Sequence, residues 1–220
     1  MKAVLLDFYG TVVHEAYELL DHIAEVFQRA GAQVTAQEVG DQWWQNFSRE
    51  CDLACGKSFR LQKELYASVL EKLQQKFGVR VEAPALIKEI VEFSVSSKPF
   101  EDSLRFIEEC AMPWDILSNI DTAELVTMIG KIGIAPKGFY TSEMARAYKP
   151  APEIFLKGLS YFGLNAEDVV YAGDSLRNDY WGARGAGMKS VWLNRLGQPV
   201  PQGVVALPDL YSLLAKLSDL

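Results

Sequence analysis

The sequence is poor in cysteine, in excess positive charge and in long apolar runs, and each shortage excludes a class of protein. Its three cysteines, Cys51, Cys55 and Cys110, are few and odd in number, which argues against a disulfide framework. Cys51-x-x-x-Cys55 has helical spacing, but no second Cys/His pair lies nearby to complete a zinc site, so the thiols read as structural. Against 29 Asp+Glu stand 22 Lys+Arg, a formal charge of -7. That balance argues against non-specific nucleic-acid binding and against an anionic membrane surface. A polyanionic small molecule can still bind, in a locally positive pocket.

No window reaches the roughly 18 apolar residues of a membrane span, and the apolar run that opens MKAVLLDFYG is too short for a signal peptide. The expected location is therefore the cytoplasm. With 49% hydrophobic and 23% charged residues there is no polar tract long enough for disorder, and the chain is expected to fold throughout.

What the sequence does contain changes character along its length. After an apolar strand at Ala3–Leu6, the stretch Ala16–Phe93 has helical periodicity and almost no strand-like alternation. Leu19, Leu20, Ile23, Val26 and Phe27 form one apolar face, closed by Ala30-Gly31. Further helices are expected over Ala36–Cys55, Phe59–Phe77 and Pro84–Ser94, with the Trp43-Trp44 pair inside the bundle.

From Pro99 helices and short apolar strands alternate. Strands are expected at Trp114–Leu117, Gly138–Thr141, Val169–Ala172 and Ser190–Leu193, and helices at Glu101–Cys110, Thr122–Ile132, Pro152–Phe162 and Leu176–Gly187. This alternation implies an α/β fold with a doubly wound parallel sheet, a Rossmann-like core, which the first strand must join. The expected division is a core of 1–15 and 96–220, interrupted by an all-helical domain of 16–95.

Ligands of an open parallel sheet bind at the carboxyl ends of its strands. The first strand ends in Asp7, followed by Gly10-Thr11; the next ends in Ser118-Asn119; Lys149-Pro150 precedes a later helix; Gly173-Asp174-Ser175 follows another strand, with Asp179 close behind. Carboxylates gathered in one crevice repel one another unless a cation lies between them, and such hard oxygen ligands suit Mg²⁺. Lys149, the Ser118 hydroxyl and loop N–H groups supply donors for an anion such as phosphate. Asp7 then has the position and chemistry of a nucleophile that forms an acyl-phosphate.

These four segments, in this order and at these strand ends, resemble the haloacid dehalogenase superfamily of hydrolases. The resemblance implies Asp7 as nucleophile, Thr11 as the residue orienting its loop, and Ser118, Asn119 and Lys149 as holders of the transferred group. It implies Mg²⁺ held by Asp7, the Tyr9 backbone carbonyl, Asp174 and Asp179. It also implies that the helical insertion is a cap selecting a small phosphorylated metabolite. Monomer and homodimer stay equally open.

One residue departs from the phosphatase pattern. Most phosphatases of the superfamily carry an aspartate two places after the nucleophile, as acid to the leaving group and base to water; Tyr9 stands there. A phenol, with an unperturbed pKa of about 10, is a poor base at neutral pH. Tyrosine here resembles the dehalogenase branch, in which halide leaves without a proton. Yet the region where that branch carries a halide-binding arginine reads QWWQNF, with Arg49 and Arg60 the nearest arginines, and the fourth motif keeps both carboxylates. A Mg²⁺-dependent phosphatase is the first reading. A 2-haloacid dehalogenase and a catalytically idle binding protein are the alternatives. His14, just past the first motif, is a candidate substitute acid, against the plainer reading of a hinge or surface histidine.

Overall fold

The runs AVLL, WDILS, FYT, VVYAG and KSVWL, together with the dipeptide Ala206–Leu207, pair as parallel strands. The computed structural model describes residues 1–218; positions 219–220, part of the expected core, lie outside them. The strands are β1 (Ala3–Leu6), β2 (Trp114–Ser118), β3 (Phe139–Thr141), β4 (Val169–Gly173), β5 (Lys189–Leu193) and β6 (Ala206–Leu207), in the sheet order β3-β2-β1-β4-β5-β6. Every residue of β1, β2 and β4 is buried, as expected of strands covered on both faces.

The chain forms two compact units. One comprises Met1–His14 with the chain from Lys98 onward, and the other Glu15–Ser97. In the first, helices α5 (Glu101–Glu109), α6 (Thr122–Ile132) and α8 (Pro152–Phe162) alternate with strands, with one-turn helices α7 (Ser142–Ala145), α9 (Gly182–Gly185) and α10 (Tyr211–Leu214). The α8 residues Ile154, Phe155 and Leu159 pack with Leu5, Leu117 and Tyr171 of the sheet. Burying each such side chain contributes about 1.5–3 kcal/mol.

The second unit is all helical: α1 (Glu18–Arg29), α2 (Ala36–Leu53), α3 (Gln62–Phe77) and α4 (Ala83–Ser94). Ile23, Phe27, Val39, Trp43, Val69, Leu73 and Ile90 form its core. The tryptophan pair is split rather than buried together. Neighbours on a helix point about 100° apart, so Trp43 is 2% exposed while Trp44 is 43% exposed. Helix α3 begins at Gln62, later than the expected Phe59, because the Glu64 carboxylate accepts the Leu61 N–H at 2.7 Å and anchors the first turn there.

A second difference from expectation bears on the site. The segment expected as one helix over Leu176–Gly187 opens as a π-helix, Leu176–Trp181, before α9. The Tyr180 N–H donates to the Ser175 carbonyl at 3.1 Å, and this five-residue bond widens the turn. The widened turn lays Asp179 back over Gly173, where a Cβ would stand 2.3 Å from the Asp179 carboxyl carbon. Strand β6 has no alternation to announce it and pairs with β5.

Candidate active site

In this sheet order β1 lies between β2 and β4, so the chain turns opposite ways on leaving neighbouring strands, and a crevice opens at their carboxyl ends. Asp7 follows β1 directly, and its N–H donates to the Ala172 carbonyl of β4 at 3.0 Å. Ser118 ends β2, and its Oγ donates to Asp7 Oδ1 at 2.7 Å. Lys149 arrives from the loop after α7, and its Nζ donates to the same Asp7 oxygen at 2.6 Å. The three residues predicted from three separate segments therefore meet at one oxygen atom.

Lys149 is fully buried and donates in three directions: to Asp7, to Asp179 Oδ1 at 2.5 Å and to the Tyr171 hydroxyl at 2.9 Å. Burial alone pulls its pKa down, but the charges of Asp179 and Asp7 outweigh it and hold the ammonium above its ordinary range. Burial pushes Asp179 up to about 6, with repulsion from Asp7 adding and Lys149 opposing. Asp179 pairs with Lys149 through Oδ1. Its other oxygen accepts the Ser175 N–H at 2.8 Å.

Asp174 completes a triad: ligand oxygens of Asp7, Asp174 and Asp179 all lie within 4.8 Å of one another. Its carboxylate lies over Gly10, where a Cβ would be 2.3 Å from Oδ2, and Gly10 has a φ of +74°. The Asp174 carbonyl accepts the Trp192 indole N–H at 2.8 Å. Three clustered carboxylates, two of them buried, form a hard-oxygen donor set that fits a divalent cation such as Mg²⁺. The Tyr9 carbonyl implied as a fourth ligand belongs to the same loop.

Two other expected site residues have a more specific placement. The Asn119 amide is committed to the main chain of Lys149: Oδ1 accepts the Lys149 N–H at 2.7 Å and Nδ2 donates to its carbonyl at 3.1 Å. What this geometry does is seat the lysine. The Thr11 hydroxyl is buried without a hydrogen bond, whereas the Thr11 carbonyl accepts from Ser103 Oγ at 2.9 Å and Arg195 Nη2 at 2.8 Å.

Sequence reading missed four contributors. Tyr171, mid-strand in β4, looks like core but places its hydroxyl on Lys149, donating at 2.7 Å to the Leu117 carbonyl. Burial and the neighbouring carboxylates raise its pKa well above the ordinary phenol range. Glu124, in the first turn of α6, accepts the Tyr9 hydroxyl at 2.7 Å, and burial pushes its carboxyl up to about 7. Arg195 and Asp102 form a bidentate pair behind the Asp7 loop, at 2.9 Å for both bonds. Only Tyr171 offered a sequence signal, a polar-tipped residue in an otherwise aliphatic strand. His14 is exposed, with its ring centroid 3.7 Å from that of Phe100.

A buried carboxylate stands at the carboxyl edge of a Rossmann-like sheet, with a lysine, a serine and two further carboxylates around it, a set of groups able to support nucleophilic catalysis. The profile of the haloacid dehalogenase-like hydrolases matches residues 1–187, and the chain belongs to that family.

Its relatives point both ways on chemistry. It is 24% identical to haloacetate dehalogenase H-2 of Moraxella sp. (strain B), over 90% of this chain and 87% of that one. It is 41% identical to a glyceraldehyde 3-phosphate phosphatase of Pyrococcus abyssi, but over 51 residues, 23% of this chain and 21% of the length of that relative. Among solved structures, L-2-haloacid dehalogenase from Xanthobacter autotrophicus superposes with a TM-score of 0.81 at 17% identity, covering 100% of this chain and 99% of that one. The magnesium-bound HAD-hydrolase YfnB from Bacillus subtilis gives 0.80 at 17% identity, covering 99% and 98%. At these identities the structural likeness concerns the fold. Among the described residues no helix is long and apolar enough to cross a membrane.

Proposed function

We propose that the protein is a Mg²⁺-dependent hydrolase of small phosphorylated metabolites, acting through a phosphoryl group carried on Asp7. The observation that carries this reading is the third carboxylate, Asp174, held within 4.8 Å of Asp7 and Asp179. Keeping that acid beside a nucleophilic carboxylate is unfavourable without a further cation, because the like charges repel one another. Asp7, Asp174 and Asp179, with the Tyr9 carbonyl, would hold Mg²⁺. Bound there, the ion offsets the repulsion between carboxylates and phosphate and withdraws charge from the phosphoryl oxygens.

The chain's own residues divide the work. Lys149 and Ser118 converge on Asp7 Oδ1, which fixes the carboxylate and leaves Oδ2 as the attacking atom. That oxygen forms a bond to phosphorus as the bond to the leaving group breaks, and water then releases phosphate and restores the carboxylate. Thr11 and Asn119 act on the placement of the Asp7 loop and of Lys149. The helical unit is assigned the selection of substrate.

Dehalogenation is the second reading, and Tyr9 favours it, since no aspartate stands where a leaving alkoxide takes its proton. Of the two arginines nearest QWWQNF, Arg49 is exposed, and Arg60 is engaged by Glu50 and by Ser68, the latter at 2.8 Å. The deciding experiment measures phosphate release from a panel of phosphorylated metabolites with and without Mg²⁺, beside halide release from 2-haloacids. Phosphate release that needs Mg²⁺ and is abolished in Asp7→Asn is the expected result. An absence of Mg²⁺ binding by calorimetry, together with full activity in Asp174→Ala, refutes the reading, and an Asp7→Asn variant that loses no turnover marks an idle binder.

A further inference from the structure

The Tyr9 hydroxyl donates a hydrogen bond to Glu124 Oε1 at 2.7 Å, on a carboxyl group that is itself buried in the first turn of α6. The proton that an aspartate at this position delivers to a leaving group is therefore absent, and the phenol in its place has its own proton directed elsewhere.

The other donors that the strand-end loops bring to Asp7 are engaged as well. All three Lys149 N–H bonds go to Asp7, Asp179 and Tyr171. Ser118 donates to Asp7, and the Asn119 amide donates to the Lys149 carbonyl. Thr11 Oγ1 is buried without a hydrogen bond, and an aliphatic alcohol is far too weak an acid to protonate a leaving group.

We infer that this site takes substrates whose leaving group departs as a stable anion without receiving a proton: acyl and aryl phosphates rather than phosphate esters of alkyl alcohols. The step balances without an acid. Asp7 Oδ2 forms a bond to phosphorus, the bond from phosphorus to the bridging oxygen breaks, and its electron pair leaves on a carboxylate or phenolate. Water then attacks the phosphoryl-aspartate, phosphate departs, the Asp7 carboxylate is restored and the surplus proton passes to solvent. An alkoxide left in the same way is far more basic, so alkyl esters lose the about 10²–10⁴-fold that a positioned general acid contributes.

The inference rests on Asp7 being the nucleophile, and it can fail separately from the phosphatase reading. The test follows kcat/KM with Mg²⁺ across acetyl phosphate, a series of substituted phenyl phosphates and alkyl phosphates such as glycerol phosphate, with 2-chloropropionate as a parallel arm. The expected result is turnover of acetyl and nitrophenyl phosphates with a steep fall as the leaving group grows more basic. Tyr9→Asp is expected to raise alkyl phosphate hydrolysis tenfold or more relative to acetyl phosphate. Comparable rates on alkyl and aryl phosphates overturn the inference and leave the phosphatase reading standing. Halide release without phosphate release overturns the phosphatase reading and, with it, the assignment of acyl and aryl phosphates. No turnover in any arm overturns both. Should Tyr9→Asp not fold, the leaving-group series on the wild-type protein decides alone.

Discussion

Arg195 donates its Nε–H to the carbonyl of Gly10 at 3.0 Å, joining the loop after β5 to the loop that carries Asp7. The same guanidinium reaches the Thr11 carbonyl, pairs with Asp102 and lies 3.7 Å over the Phe100 ring. Two consecutive carbonyls of the nucleophile loop are thereby held by one planar group, and Gly10 in turn is the surface on which Asp174 rests.

Arg195→Ala is expected to lower kcat tenfold or more with a smaller change in KM, because the loop loses its hold while substrate contacts persist. Asp102 keeps the Leu210 N–H but loses its charge partner, so stability should fall as well. Arg195→Lys should recover part of the stability and little of kcat, since an ammonium cannot bond two carbonyls and a carboxylate in one plane. Steady-state kinetics beside urea unfolding check both, and unchanged kcat in a folded Arg195→Ala protein contradicts the assignment.

Gly10→Ala meets two obstacles at once: a φ of +74°, and a Cβ placed 2.3 Å from Asp174 Oδ2. The backbone strain is worth about 1–3 kcal/mol. Displacement of Asp174 should also weaken Mg²⁺ binding, which calorimetry reads independently of turnover.

Tyr171→Phe keeps the ring packed and removes the hydroxyl shared by Lys149 and the Leu117 carbonyl. Leaving those buried groups short of a partner should cost about 1–3 kcal/mol. With one of its three anchors gone Lys149 gains freedom, so kcat should fall in step. Thermal unfolding and kinetics on the one variant test the pair of effects.

Glu124 gives a pH signature in stability. Its carboxyl is raised from 4.5 to about 7 by burial, with Tyr9 opposing. The unfolded chain therefore loses this proton at lower pH than the folded one. Stability contributed by the protonated form is full below about pH 4.5, declines between pH 4.5 and 7, and is gone above, a total of about 3 kcal/mol. Glu124→Gln should remove that decline, so the difference between the two proteins in urea unfolding should widen in favour of the variant as pH rises from 4 to 7. A constant difference across that range contradicts it.

The parts legible in the sequence are those that local rules control. Asp7, Ser118 and Asp174 each follow an apolar run short enough to be a strand, and in a parallel sheet that position faces the crevice whatever the neighbours are. The helices of Glu15–Ser97 announce themselves by periodicity, although the same periodicity could not tell that Trp43 turns inward and Trp44 outward. The π-turn that carries Asp179 was illegible, since the Asp179 carboxyl it places needs the space above Gly173.

Composition and pattern by themselves determined a doubly wound sheet with an inserted helical block, and one edge bearing carboxylates, a lysine and a serine. Only the tertiary structure decided which groups hold that edge in place: Tyr171 on Lys149, Glu124 on Tyr9, Arg195 on Gly10. Tyr9 and Glu124 are 115 positions apart and Arg195 and Gly10 are 185 apart. A hydrogen bond is set by distance and angle in space, and no periodicity along the chain encodes such a meeting before the sheet order brings the loops together.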